Sequence, residues 1–167
     1  REVLKGLPEA IRSLEQNGEV NVLVLTGNDP AFCAGLDLRE LGESGGNINP
    51  DQSSTFRGPF PKRIKPLIGA INGVAVTGGL ELALACDFLI ASERAKFADT
   101  HARVGVMPGW GLSVLLPQAI GVRRAREMSL TGNYLDAATA AEWGLVNRVV
   151  PHESLMSTVH AVAQDIC

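Results

Sequence analysis

The stretch Ile71 to Asp87, INGVAVTGGLELALACD, restricts the chain more than any other. An apolar run, Leu67 to Ile71, enters a turn at Asn72-Gly73; a second run, Val74 to Val76, leads to Gly78-Gly79, after which Leu80 to Cys86 reads as a helix. Two short apolar runs around a turn suit strands. A helix that opens on glycines leaves its first amides without intrahelical acceptors and lets another group approach that backbone closely. Such amides suit a developing negative charge. Glu81 falls in the same first turn, where the helix dipole favours its ionised form. One stretch therefore supplies anion-binding amides and a carboxylate base side by side.

The elements around it alternate. Arg1 to Asn17 places Val3, Leu4, Leu7, Ile11 and Leu14 on one helical stripe, with Gly18 as the stop. A domain rarely opens inside a helix, so one or two strands are expected before residue 1. Val20 to Thr26 is β-rich and apolar on both faces, as in a buried central strand. Gly27 to Pro30 breaks it, Ala31 to Leu38 forms a tight turn, and a short helix is expected near Asp37 to Leu41. Gly42 to Pro61 is polar and aperiodic, a long loop that reads equally as a mobile lid or an exposed linker.

After Asp87, strands are predicted at Phe88 to Ala91 and Lys96 to Ala98, then an irregular connection from Asp99 to Trp110. Helices follow at Leu112 to Ile120, Val122 to Leu130 and Ala137 to Glu142, with a last strand at Leu145 to Val150 and a helix from His152 to Cys167. Strands alternating with helices indicate a layered α/β fold, and no boundary for a second domain is visible.

Several function classes fall away. The 167 residues are 46% hydrophobic and 20% charged, enough to bury a real core, and a net charge of −3 provides no basic footprint for nucleic acid or an anionic membrane. The apolar stretch around Leu80 is interrupted by Glu81 and Asp87 and is too short to span a bilayer, so the cytoplasm is the expected location. Cys33, Cys86 and Cys167 are too scattered for a disulfide framework or a zinc site. Gly73 to Gly78 has the outer spacing of a phosphate loop, yet Gly79 stands where that loop needs lysine. Gly111-Leu112-Ser113-Val114-Leu115 lacks the closing glycine of a nucleophile elbow. Nucleotide and serine hydrolysis are both disfavoured.

The run INGVAVTGGLELALACDF, preceded by FCAGLDL and followed by FADTHARVGVMPGWG and LTGNYLDAATAAEWGLVNRVVP, resembles the crotonase (enoyl-CoA hydratase/isomerase) superfamily over nearly the whole chain. The resemblance implies an α/β fold, a spiral of ββα units with helices packed on the sheets. It implies that residues 1–167 form a single core domain, without N-terminal strands and without the C-terminal helices through which family members trimerise. It also implies an acyl-CoA thioester substrate, assembly as a homotrimer or dimer of trimers, and coenzyme A only as part of the substrate, with no metal and no further cofactor.

By motif position, the amides of Leu36 and Gly78 would form an oxyanion hole for the thioester enolate, where losing one donor typically costs on the order of 3 kcal/mol. Ala34, Gly35, Leu36, Asp37, Leu38 and Trp110 would lie along the acyl-CoA. Glu81 matches the glutamate that activates water; its alternative role is to satisfy the helix dipole. His101 stands where family hydratases carry a second glutamate, and can serve as the proton carrier, as a substrate contact, or as a polar turn residue. Trp110 either reshapes the acyl pocket or fills core. His152 and His160 are expected on a solvated helix face. The expected activity is hydration of a 2-enoyl-CoA to a 3-hydroxyacyl-CoA in fatty-acid metabolism. The alternatives are isomerisation, decarboxylation or thioester hydrolysis, or a weakly catalytic acyl-CoA-binding protein.

Overall fold

The computed structural model describes residues 2–35 and 58–167. The expectations for a helix near Asp37 to Leu41, for most of the loop 42–61, and for Leu36, Asp37 and Leu38 fall outside the described residues. Helix α1 (Glu2–Gln16) packs Leu7 and Ile11 against the core, while Val3 and Leu14 of the same stripe stay exposed.

The chain then distributes strands alternately to two sheets. The first holds β1 (Leu23–Thr26), β3 (Leu67–Ile71), β5 (Phe88–Ser92) and β8 (Arg148–Val150), all parallel and in that order. The second holds β2 (Ala31–Cys33), β4 (Val74–Val76) and β6 (Lys96–Ala98) in parallel, with β7 (Leu135–Asp136) antiparallel at its edge. Each winding thus adds a strand to one sheet, turns a corner, adds a strand to the other, and returns. Helix α2 (Gly78–Leu84) makes that return between β4 and β5. This is the ββα winding expected from the sequence.

The alternation of side chains along β3 and β5 explains why the first sheet is covered on both faces. Leu67, Ile71, Leu89 and Ala91 point into the main core, where they share one cluster with Ala75 and Phe97 of the second sheet. Ile68, Ala70 and Ile90 point the other way, onto Leu155 and Val159 of the last helix, α7 (Leu155–Ile166). Between β6 and α7 come α3 (His101–Val104), α4 (Leu112–Ile120), α5 (Val122–Thr131) and α6 (Ala137–Trp143).

Four expectations are corrected. Ala31–Cys33 is a strand rather than part of a turn, the connection after Asp99 contains the one-turn helix α3, and the last strand begins at Arg148, because Leu145 and Val146 are buried in the turn before it. His152 does not lie on a solvated face either. Its Nδ1 meets Ser92 Oγ at 3.0 Å and its Nε2 meets Asp29 Oδ2 at 3.0 Å, while Asp29 also accepts a 2.8 Å bond from Asn72. One imidazole therefore ties together the sheet corners at Asp29, Asn72 and Ser92. His160 is exposed as expected.

Candidate active site

The site is built where the corners of successive windings stack. Gly35 adopts φ 89°, open to glycine at little cost, and a Cβ there would lie 3.6 Å from the amide nitrogen of Gly78. A Cβ on Gly78 would in turn lie 3.8 Å from Gly35 Cα and 3.6 Å from Trp110 Cζ3. The two glycine bends picked out in the sequence therefore run against each other, with the Trp110 ring beside them. Leu36, the next residue along, is outside the described residues, as are Asp37 and Leu38. Ala34, just before Gly35, is exposed.

Thr77 enters α2 with φ 56° and ψ −111°, a positive-φ conformation that costs a β-branched residue free energy and recurs at functional sites. It is held there from the next strand: its amide donates to Ala98 O at 2.9 Å, and its hydroxyl shares a short hydrogen bond with that of Thr100. Glu81 N closes the first helical turn on Thr77 O at 3.0 Å, so the amides of Gly78, Gly79 and Leu80 come before the first intrahelical bond. At the other end, Arg63 grips Asp87 in a bidentate pair of 2.6 and 2.9 Å and donates to Ala85 O at 3.2 Å. That guanidinium holds the Asp87 carboxyl below the usual carboxylate range. Burial pushes the neighbouring Cys86 thiol up to about 12.

Glu81 is 3% exposed, and its carboxylate is satisfied from another element. Oε1 accepts the amide of Trp110 at 2.7 Å and, more loosely, that of Leu112 at 3.4 Å, at the entry to α4. Its own helix supplies the position; the segment that leads into the next long helix supplies the donors. With Oε1 engaged, Oε2 faces His101 Nε2 at 3.7 Å. His101 is 5% exposed, and its Nδ1 lies 2.7 Å from Asp99 Oδ1, which also accepts the His101 amide at 3.2 Å. The structure thus lines up carboxylate, imidazole and carboxylate in one buried row, a geometry able to move protons between fixed atoms.

Of the residues singled out from sequence, Glu81, His101, Gly78, Gly35 and Trp110 come together. Trp110 contributes twice, with its amide on Glu81 and its ring against Gly78. Asp99 and the Thr77–Thr100 pair were missed. The Asp-x-His spacing after a predicted strand was the available signal, since an aspartate two residues before a histidine can bond both its amide and its ring.

Residues 1–167 match the family model described as enoyl-CoA hydratase/isomerase. A probable peroxisomal enoyl-CoA hydratase of Arabidopsis thaliana is 41% identical over 168 residues, covering 99% of this chain and 63% of the relative. A 1,2-epoxyphenylacetyl-CoA isomerase of Escherichia coli is 36% identical over 167 residues, covering 96% of this chain and 64% of the relative. The crystal structure of an enoyl-CoA hydratase from Mycobacterium smegmatis superposes with a TM-score of 0.88 at 53% identity, covering 99% of this chain and 68% of that one. The chain spans a little under two thirds of the length of the two curated relatives.

Proposed function

The chain belongs to the enoyl-CoA hydratase/isomerase family, and from that premise we propose that the protein adds water across the 2,3-double bond of an enoyl-CoA. Hydration makes three demands at once: charge must be taken up at the thioester oxygen, a proton taken from water, and a proton delivered to the α-carbon. The amides of Gly78 and Leu36 would meet the first, and the contact between the Gly35 and Gly78 backbones supports that role. Glu81 would meet the second through Oε2, with Oε1 pinned by two amides. His101 would meet the third through Nε2.

The observation that carries this assignment is the 3.7 Å separation of Glu81 Oε2 and His101 Nε2. Two atoms so placed can both reach one water at hydrogen bonds of about 2.8 Å, and can act on the same face of a substrate lying over it. Mixing the protein with short and medium 2-enoyl-CoA thioesters should bleach the conjugated thioester absorbance and yield a product heavier by one water. Unchanged absorbance across the chain lengths would reject hydration.

The same site could move a proton between two carbons instead, and a relative at 36% identity is named an isomerase. Product mass separates the two, since isomerisation leaves it unchanged. The rest of the proposal follows the family: one core domain over 1–167, an acyl-CoA thioester as partner, no cofactor beyond the coenzyme A of the substrate, and assembly as a trimer or dimer of trimers. Met107, Leu130 and Tyr134, exposed by 84%, 80% and 54%, give such an assembly apolar surface to cover. No helix among the described residues is long and apolar enough to cross a membrane, and the free thiols of Cys33, Cys86 and Cys167 agree with a reducing compartment, in our reading the cytoplasm.

A further inference from the structure

Asp99 takes no part in the chemistry just assigned, yet at 2% exposure it is the most deeply buried carboxylate among the described residues. A buried carboxylate is costly unless it is bonded, and both bonds found for it come from His101, one from the ring and one from the amide. An ionised carboxylate only accepts, so Nδ1 must carry the hydrogen. Nε2 is then the ring position left to gain or lose a proton, and it is the atom that faces Glu81.

We propose that Asp99 is a positioning residue that acts through His101, fixing its tautomer and ring orientation so that Nε2 exchanges the α-proton of the acyl thioester. The proposal rests on the acyl-CoA assignment above. In hydration, which starts from an ionised Glu81 and a His101 protonated on both ring nitrogens, the water oxygen bonds to the β-carbon as its proton passes to Glu81 Oε2, and the enolate's electron pair takes the Nε2 proton to form the α-C–H bond. Glu81 is then protonated and His101 neutral. The proton returns from Oε2 to Nε2, a short passage between neighbouring atoms, and the site is restored with one water consumed. Nδ1–H stays in place throughout, and Asp99 remains the counter-charge of the imidazolium. A glutamate at position 101 would need no such partner, because a carboxylic acid has no ring tautomer to select.

Asp99→Asn keeps the side-chain volume but offers an amide NH₂ to Nδ1, which admits the other tautomer. In that variant, turnover of a 2-enoyl-CoA should fall at least about 10²-fold in kcat with KM within about twofold. Nitrogen-15 spectra of histidine-labelled protein, recorded at a pH high enough for the His101 ring to be neutral, should place its remaining proton on Nδ1 in the unaltered protein and shift it toward Nε2 in Asp99→Asn. In a His101→Gln background, adding Asp99→Asn should lower kcat no further, as expected when one residue acts only through the other. A tautomer that Asp99→Asn leaves unaltered, or a full-sized loss that persists in the His101→Gln background, would overturn the proposal. If the unaltered protein hydrates no enoyl-CoA, the hydration assignment fails by itself, and the nitrogen spectra still decide what Asp99 does.

Discussion

At Gly79, any Cβ would stand 2.0 Å from the carbonyl oxygen of Cys33, which is rigid backbone in β2. The start of α2 and the preceding glycine bend can approach only because that atom is missing. Gly79→Ala should therefore destabilise the protein by about 3 kcal/mol, read as a drop in the urea midpoint, and should cost more activity than stability because it pushes Gly78 away from Gly35. Cys86 makes a second residue-level prediction. With its thiol pushed up to about 12 by burial, it is protonated at neutral pH, so alkylation near pH 8 should modify exposed Cys167 and spare Cys86 until the protein unfolds. Glu81→Gln should suppress hydration by orders of magnitude at unchanged fold, as followed by the decay of enoyl absorbance; near-normal turnover would remove Glu81 from the mechanism. Glu81, His101, Gly78 and Gly35 were all legible as residue types in their local context. The donors to Glu81 were not, because Trp110 and Leu112 lie 29 and 31 residues away in sequence.

Elements were legible wherever they were long enough to show a period. The predicted helices over Arg1 to Asn17 and Leu112 to Ile120 match α1 and α4 to within a residue at each end. The strands β2 and β7 were missed although β4 and β6, no longer than β2, were found: β2 runs straight on from the Gly27 to Pro30 break and β7 starts just after Gly132-Asn133, so both read as turn, and pairing with β4 and β6 defines them. Helix α2 depends on contacts beyond its own residues, since Arg63 and Asp87 clamp its end and Asp87 Oδ2 also accepts the Leu67 amide at 2.7 Å where β3 begins. Because Arg63 lowers the folded-state pKa of Asp87, this clamp contributes stability above the unfolded carboxylate value of about 4 and loses it as pH falls through the lower folded value. Unfolding midpoints measured from pH 6 down to 2 should decline in that acid window, and Asp87→Asn should flatten the decline while lowering the plateau.

For the whole molecule, one core carries both sheets. Phe97, fully buried in β6, sits in the same cluster as Leu67 and Ile71 of β3 and Leu112 and Leu116 of α4. Phe97→Ala should cost about 4 kcal/mol, and both sheets should lose structure in one transition, so that far-UV circular dichroism and tryptophan fluorescence shift together. The sequence by itself determined the alternation of strands and helices, the two glycine bends and the identities of the candidate chemical groups, because hydrophobic period, turn chemistry and side-chain type are local properties. Only the tertiary structure decided that Asp99, His101 and Glu81 stand in a row, that the amides at the entry to α4 hold Glu81, and that His152 ties three corners together. Those depend on how successive windings stack, and stacking is set by contacts between residues far apart along the chain.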